Sequence, residues 1–210
     1  HDQWGNTLTY TRGAGAAQDA DAISESYTYD SWGNLSSITD GLGNSTQVSY
    51  SFKGLVTTFT NPLGATWTSQ YDKLGRYLRS SDPLGREKQR QYNSAGQVAS
   101  YVDALNNRWN YSYDAIGNIL SVENPLGYIS KRVYDPMGRQ LSRTTPGGQK
   151  VQAQYDSLGR RIGSVDAAGN AIQLVYGADG SALAGRVVSI KYPTFQQAYR
   201  YDQSGRITQT

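Results

Sequence analysis

The segment Tyr71-Asp72-Lys73-Leu74-Gly75-Arg76 is followed, eleven residues after its tyrosine, by Asp82-Pro83-Leu84-Gly85. In both, Asp at the first position can bond back to the backbone of the next residues. Gly at the fourth can take positive φ and return the strand through a bulge. Pro83 suits the second position of such a turn. Two turns this close together leave room for two strands of roughly six residues each.

Outward from this segment the pattern recurs. Tyr29, Tyr50, Tyr71, Tyr92, Tyr113, Tyr134, Tyr155 and Tyr176 follow one another at intervals of 21 residues. Seven equal intervals are the mark of a structural repeat. Gly stands four residues after each, at Gly33, Gly54, Gly75, Gly96, Gly117, Gly138, Gly159 and Gly180. A further copy opens at Tyr201 with Gly205, after an interval of 25, and His1 takes the tyrosine place in a degenerate first copy. The second half-motif is clearest in Asn61-Pro62-Leu63-Gly64 and Asn124-Pro125-Leu126-Gly127, and decays to Asp103-Ala104-Leu105-Asn106 and Asp166-Ala167-Ala168-Gly169.

The predicted fold is therefore all-β: an array of antiparallel β-hairpins over 1–210, one hairpin per repeat. Its parts are a degenerate copy over 1–28 with a flexible loop at 11–22, regular repeats over 29–175, a repeat with an insertion over 176–200, and the start of the next at 201–210. About eighteen strands at ~4.8 Å spacing would make a ribbon roughly 86 Å long and ~20 Å wide. Accumulated twist should curve so long a single layer. Strand edges left unpaired invite self-association.

Composition fits a thin layer. Hydrophobic residues are 37% of the chain, mean hydropathy is −0.62, and there are 23 Gly and 17 Tyr but no Cys. The absence of Cys excludes a disulfide framework and any thiolate zinc site, without excluding export. The net charge of +3 is spread along the chain with no basic run, so nucleic acid is not an expected partner. No apolar stretch reaches the ~18 residues of a membrane span.

Strands leading into the tyrosines alternate. Trp67, Ser69 and Tyr71 point one way and Thr66, Thr68 and Gln70 the other; Trp109, Tyr111 and Tyr113 repeat the pattern, as do Ile172, Leu174 and Tyr176. Lys88, Arg90 and Tyr92 break it. An aromatic row can pack the inner side of a curved sheet or, if exposed, stack on sugar rings, with Trp67 and Trp109 as the residues to do so.

Other candidate chemistry is thin. One carboxylate per turn does not make a calcium cage, so the repeated Asp is read as a turn cap. His1 is the single His and has no Cys partner, which leaves neither a His-based metal site nor a triad. No carboxylate pair departs from the repeat pattern to suggest glycoside hydrolysis. No catalytic residue, metal ligand or cofactor is expected. Arg86, Lys88 and Arg90 form a local basic stripe suited to solvent or to an acidic contact. The sequons at Asn34, Asn44 and Asn110 are those a Ser/Thr/Asn-rich chain yields by chance.

The linkage of Tyr-Asp-x-x-Gly-Arg to Asp-Pro-Leu-Gly at this period resembles the RHS or YD-repeat family of bacterial polymorphic toxins, insecticidal toxin complexes and animal teneurins. The resemblance covers nearly the whole chain. It implies a β-strip that spirals into a hollow shell around a toxic C-terminal domain until a secretion system, such as type VI, delivers it from a bacterium. It also implies as partners the rest of the same chain and the enclosed toxin. In bacterial members a self-cleaving aspartyl segment and the toxin follow the repeats; neither is seen before Thr210, so the segment is expected to be wall. The alternative expectation is a cell-surface module that binds carbohydrate through exposed aromatics.

Overall fold

The two half-motifs fold into one and the same loop. In the first, the Asp72 N–H donates to the Arg76 carbonyl and the Gly75 N–H to the Asp72 carbonyl, both at 2.9 Å. In the second, Asp82 and Gly85 make the same bonds, to Arg86 at 3.0 Å and to Asp82 at 2.9 Å. Gly75 and Gly85 have φ of 85° and 75°, the left-handed region where a Cβ is strained. Where the motif decays at Asp103, Asn106 takes that conformation at φ 63°, as Asn tolerates better than other side-chain-bearing residues.

The computed structural model describes residues 1–12, 23–178 and 180–209. Among the described residues it is all-β, with every strand pair antiparallel and most neighbouring strands joined in chain order by these turns. The flexible loop expected over 11–22 gives way at its start to strand, since Thr11 and Arg12 close β1; residues 13–22 lie outside the described part.

Two compact units divide the chain, His1–Arg108 and Trp109–Thr210. The first holds β1 (Thr9–Arg12), β2 (Ile23–Tyr29), β3 (Leu35–Asp40), β4 (Ser45–Tyr50), β5 (Val56–Thr60), β6 (Thr66–Tyr71), β7 (Tyr77–Ser81), β8 (Glu87–Tyr92) and β9 (Val98–Val102). Each pairs with the next in a plain meander.

The second holds β10 (Arg108–Tyr113, whose first residue falls in the first unit), β11 (Ile119–Glu123), β12 (Ile129–Tyr134), β13 (Gln140–Thr144), β14 (Lys150–Tyr155), β15 (Arg161–Val165), β16 (Ala171–Tyr176), β17 (Val187–Lys191) and β18 (Gln196–Ala198), again paired in order. The short strands β19 (Arg200–Tyr201) and β20 (Ile207–Gln209) pair separately.

Each unit is one layer, and no apolar side chain among the described residues is fully buried. The most covered side chains are Ser100, Ser142 and Ser189, which occupy the same place in β9, β13 and β17. On the other face, cross-strand pairs carry the apolar contacts. Phe59 sits opposite both Val48 and Trp67, and Ile190 opposite Leu174. With no thick core, such pairs and the turn hydrogen bonds are the main local sources of stability.

Candidate functional site

The side chains that distinguish the repeat build a linkage between neighbouring hairpins. Its first member is the turn carboxylate. Asp72 Oδ1 accepts the N–H groups of Leu74 and Arg76, each at 2.9 Å, and Oδ2 accepts Arg76 Nε–H at 2.6 Å. Asp135 with Arg139 and Asp156 with Arg160 repeat the pattern. Asn replaces Arg in other turns, as Asn34 donates to Asp30 and Asn118 to Asp114.

These contacts keep the carboxylates ionised. At Asp156, partial desolvation raises the pKa, but the Arg160 side chain, amide and charge together with the Leu158 amide outweigh it and hold the group below its ordinary value. At Asp166 the Asn170 side-chain amide is the leading cause of the same downward shift. The recurring Asp is thus a satisfied cap, its oxygens already engaged by donors within its own turn.

The second member is the arginine. Held by its own Asp, it lies over the tyrosine ring of the following repeat: Arg76 over Tyr92 at 4.4 Å, Arg139 over Tyr155 at 4.9 Å, Arg160 over Tyr176 at 4.8 Å. The third is that tyrosine's hydroxyl. Tyr50 donates to the Leu35 carbonyl at 2.9 Å, Tyr92 to Tyr77 at 2.8 Å, Tyr155 to Gln140 at 3.3 Å and Tyr176 to Arg161 at 2.8 Å. In each of these four the acceptor lies 15 residues upstream, at the start of the preceding hairpin's second strand. Tyr29 reaches Thr7 in the same way, and Tyr71 packs edge-on against Tyr77.

The nine glycines four residues after an anchor, Gly33 to Gly205, all have φ between 72° and 98°. Gly180 needs a correction of role. The bond that closes this turn runs from the Gly177 N–H to the Arg186 carbonyl at 2.9 Å. The glycine next to the clamp arginine is therefore Gly185 (φ 76°), and Gly180 belongs to the inserted residues. The Gly185-Arg186 pair, matching Gly75-Arg76 and Gly159-Arg160, was the available signal.

The two aromatic candidates belong to different units. Trp67 is 39% exposed and packs against Phe59 with ring centroids 5.5 Å apart, while Trp109 is half-buried and stands in the other unit. The tryptophans that protrude are Trp4 and Trp32, each 77% exposed. They sit at the third position of the first turn, which other repeats fill with residues such as Lys53, Leu74, Ile116 and Met137, and they line one cleft with Asp2, Asn6, Tyr27 and Asp30.

The basic stripe is largely engaged. Arg86 pairs with Asp82 at 2.6 Å, and Arg90 lies over Tyr77 at 4.9 Å. Asn34, Asn44 and Asn110 spend their amide nitrogens on Asp30, Asp40 and Glu123. His1 Nδ1 lies 3.4 Å from the Thr7 hydroxyl. Among the described residues, no three His, Cys, Asp or Glu side chains converge as metal ligands, and no helix is long and apolar enough to cross a membrane.

Comparison with known proteins identifies the pattern. The Teneurin YD-shell family model matches residues 9–131, and the RHS Repeat model matches 113–150 and 134–171. No curated protein matches the chain. Among solved structures, similar chains occur in the crystal structure of TcdB2-TccC3 (15% identity, TM-score 0.44) and in the Tc holotoxin pore of Photorhabdus luminescens (15% identity, TM-score 0.38). Alignments cover 91% and 89% of this chain but 14% of each of those chains.

Proposed function

The chain belongs to the Teneurin YD-shell family and carries RHS repeats, and from that premise we propose that it forms a section of wall enclosing a toxin domain of its own parent protein. The observation that supports this best is the lack of an interior. No apolar side chain is fully buried among the described residues, so the sheet has no core of its own to serve. Its stability comes from turns and from Asp–Arg–Tyr linkages between hairpins, and its faces are left to bound a space. The matched families are repeat and shell families, and the wall performs no catalytic step itself. Its partners are neighbouring repeats and the enclosed toxin, and it works outside the bacterium that exports it.

Protease protection in the intact parent protein tests this. Trypsin concentrations that digest the cargo domain alone should leave it whole while the array is intact. A cargo cut equally fast in both settings would overturn the proposal.

Carbohydrate binding is favoured as a second reading by the exposure of Trp4 and Trp32 beside the polar groups of one cleft. Aromatic faces presented to water are what stacking on sugar rings needs. A glycan array decides it: saturable binding lost on Trp4→Ala and Trp32→Ala supports adhesion, and an empty array removes it.

A further inference from the structure

The first joint between hairpins lacks the arginine that Arg76 and Arg139 supply at later ones. Those two guanidinium groups lie over Tyr92 and Tyr155 and come within 3.2 Å of the Cβ position on Gly96 and Gly159. At the first joint the same place in sequence holds Asn6, whose short side chain ends on Asp2 at 2.8 Å. Tyr29 is nevertheless seated as the other anchors are, its hydroxyl on the Thr7 carbonyl at 3.0 Å. Among the described residues no cation lies over its ring, and nothing stands within 4 Å of the Cβ position on Gly33. What is left open is a cleft of about 590 Å³ lined by Tyr29, Gly33 and the exposed Trp4 and Trp32. The two tryptophans rise from consecutive first turns, two strands or about 10 Å apart. No other repeat of an array stands between consecutive turns of one meander, so the cleft is not a seat for a neighbouring repeat.

The lining selects the guest. It holds two carboxylates, Asp2 and Asp30, and no Lys, Arg or His. That charge favours a cation, and tryptophan faces bind cations better than other rings do. The carboxylate oxygens are already engaged, however. Asp2 Oδ1 accepts the Trp4 and Asn6 amides at 2.9 and 2.8 Å, and Asp30 Oδ1 accepts those of Trp32 and Asn34, both at 2.9 Å. Each Oδ2 accepts an asparagine side chain, at 2.8 and 3.0 Å. A primary ammonium or a guanidinium gives up water on entry and needs acceptors in return, and so do the hydroxyls of a sugar. A quaternary ammonium needs none, offering only charge and methyl surface. We infer that the cleft between Trp4 and Trp32 binds a quaternary ammonium group of the choline type, in the place that arginine fills at other joints. The remaining joints without arginine lack the pair of tryptophans: Asn34 lies between Trp32 and Lys53, and Asn118 between Ile116 and Met137. The inference rests on the cleft and not on the enclosing wall, so its failure leaves that reading untouched. It gives the cleft a ligand other than the sugar of the second reading.

Calorimetric titration of the chain with choline chloride tests it, and saturable binding is expected. The uncharged analogue with a tert-butyl group in place of trimethylammonium should bind at least about tenfold more weakly. Trp4→Leu with Trp32→Leu should weaken choline binding by at least about tenfold. Leu74 and Leu158 fill that turn position elsewhere, so circular dichroism should not change. Asn6→Arg should abolish binding with both tryptophans in place, because Asp2 would hold the new guanidinium over Tyr29. No saturable heat with choline, or binding undiminished by either change, overturns the inference. Arginine amide binding more tightly than choline overturns it in favour of a guanidinium ligand. Binding of methyl glucoside but not of choline returns the cleft to sugar.

Discussion

The turn that follows Tyr155 and the turn that follows Tyr176 do the same job with different lengths of chain. In the first, the Asp156 N–H reaches the Arg160 carbonyl four residues on; in the second, the Gly177 N–H reaches Arg186 nine residues on. The next turn compensates in part. Asp166 closes onto Asn170 four residues away, but Tyr192 closes onto Phe195, only three away. Five residues gained and one lost are the four by which the Tyr176 to Tyr201 interval exceeds 21. Even so, Arg186 lies over Tyr201 at 5.3 Å, and the Tyr201 hydroxyl reaches the Val187 carbonyl at 2.6 Å. The linkage between hairpins is kept while the loop is rewritten, so the arginine and the tyrosine, not the residue count, register one hairpin on the next.

Acid should separate the two turns most strongly. The turn aspartates, Asp156, Asp166 and Asp202 among them, have folded pKa values below the ordinary one. A carboxyl depressed on folding adds stability above its unfolded pKa of about 3.9 and loses it as pH falls through the folded value. Because Asp2, Asp30, Asp40, Asp72, Asp82, Asp103, Asp114 and Asp135 shift the same way, stability owed to them should be level from pH 5 to 8. It should drop collectively below about pH 4. The expanded turn has Gly177 at the cap position and no carboxylate there to lose. Hydrogen exchange at pH 3 should therefore open the Asp156 turn ahead of the Gly177 turn. Simultaneous opening would show that the caps do not hold the turns individually.

Gly177→Asp is the next largest effect, and it runs against the consensus. Restoring Tyr-Asp at Tyr176-Gly177 looks conservative, but a Cβ at 177 would overlap the backbone carbonyl of Leu183, which the longer loop folds over that position. The expected loss is about 3 kcal/mol by urea denaturation. A neutral outcome would mean that the loop does not pass there.

Most of the fold was legible in the sequence because the turn is a local object. Asp at the first position and Gly at the fourth fix its hydrogen bonds within five residues, so Tyr71–Arg76 and Asp82–Arg86 could be recognised as equivalent before any strand was paired. The linkage was not legible. Its hydroxyl bond spans 15 residues and its arginine stacks on the next hairpin, contacts that exist only once neighbouring strands are in register. Gly180 misled for a related reason: the insertion happens to spell Gly177-Ala178-Asp179-Gly180, a fair copy of a spaced turn, five residues ahead of the Gly185-Arg186 pair that serves as one. Trp67 and Trp109 were singled out by alternation along a strand. Exposure is decided instead at the tips, where Trp4 and Trp32 stand.

The smallest effect is the sharpest test of the equivalence. Tyr176→Phe removes one hydroxyl bond to the Arg161 carbonyl, made across a regular turn, and Tyr201→Phe removes the corresponding bond to Val187, made across the expanded one. Ring, stacking arginine and sheet position stay in place in both. Each should cost about 1 kcal/mol, the net worth of one such hydrogen bond. Equal losses mean that the two hairpins are joined by the same device despite the difference in loop. A loss at Tyr176 alone would show that the insertion has uncoupled the last hairpin, and that spacing in sequence, after all, governs the joint.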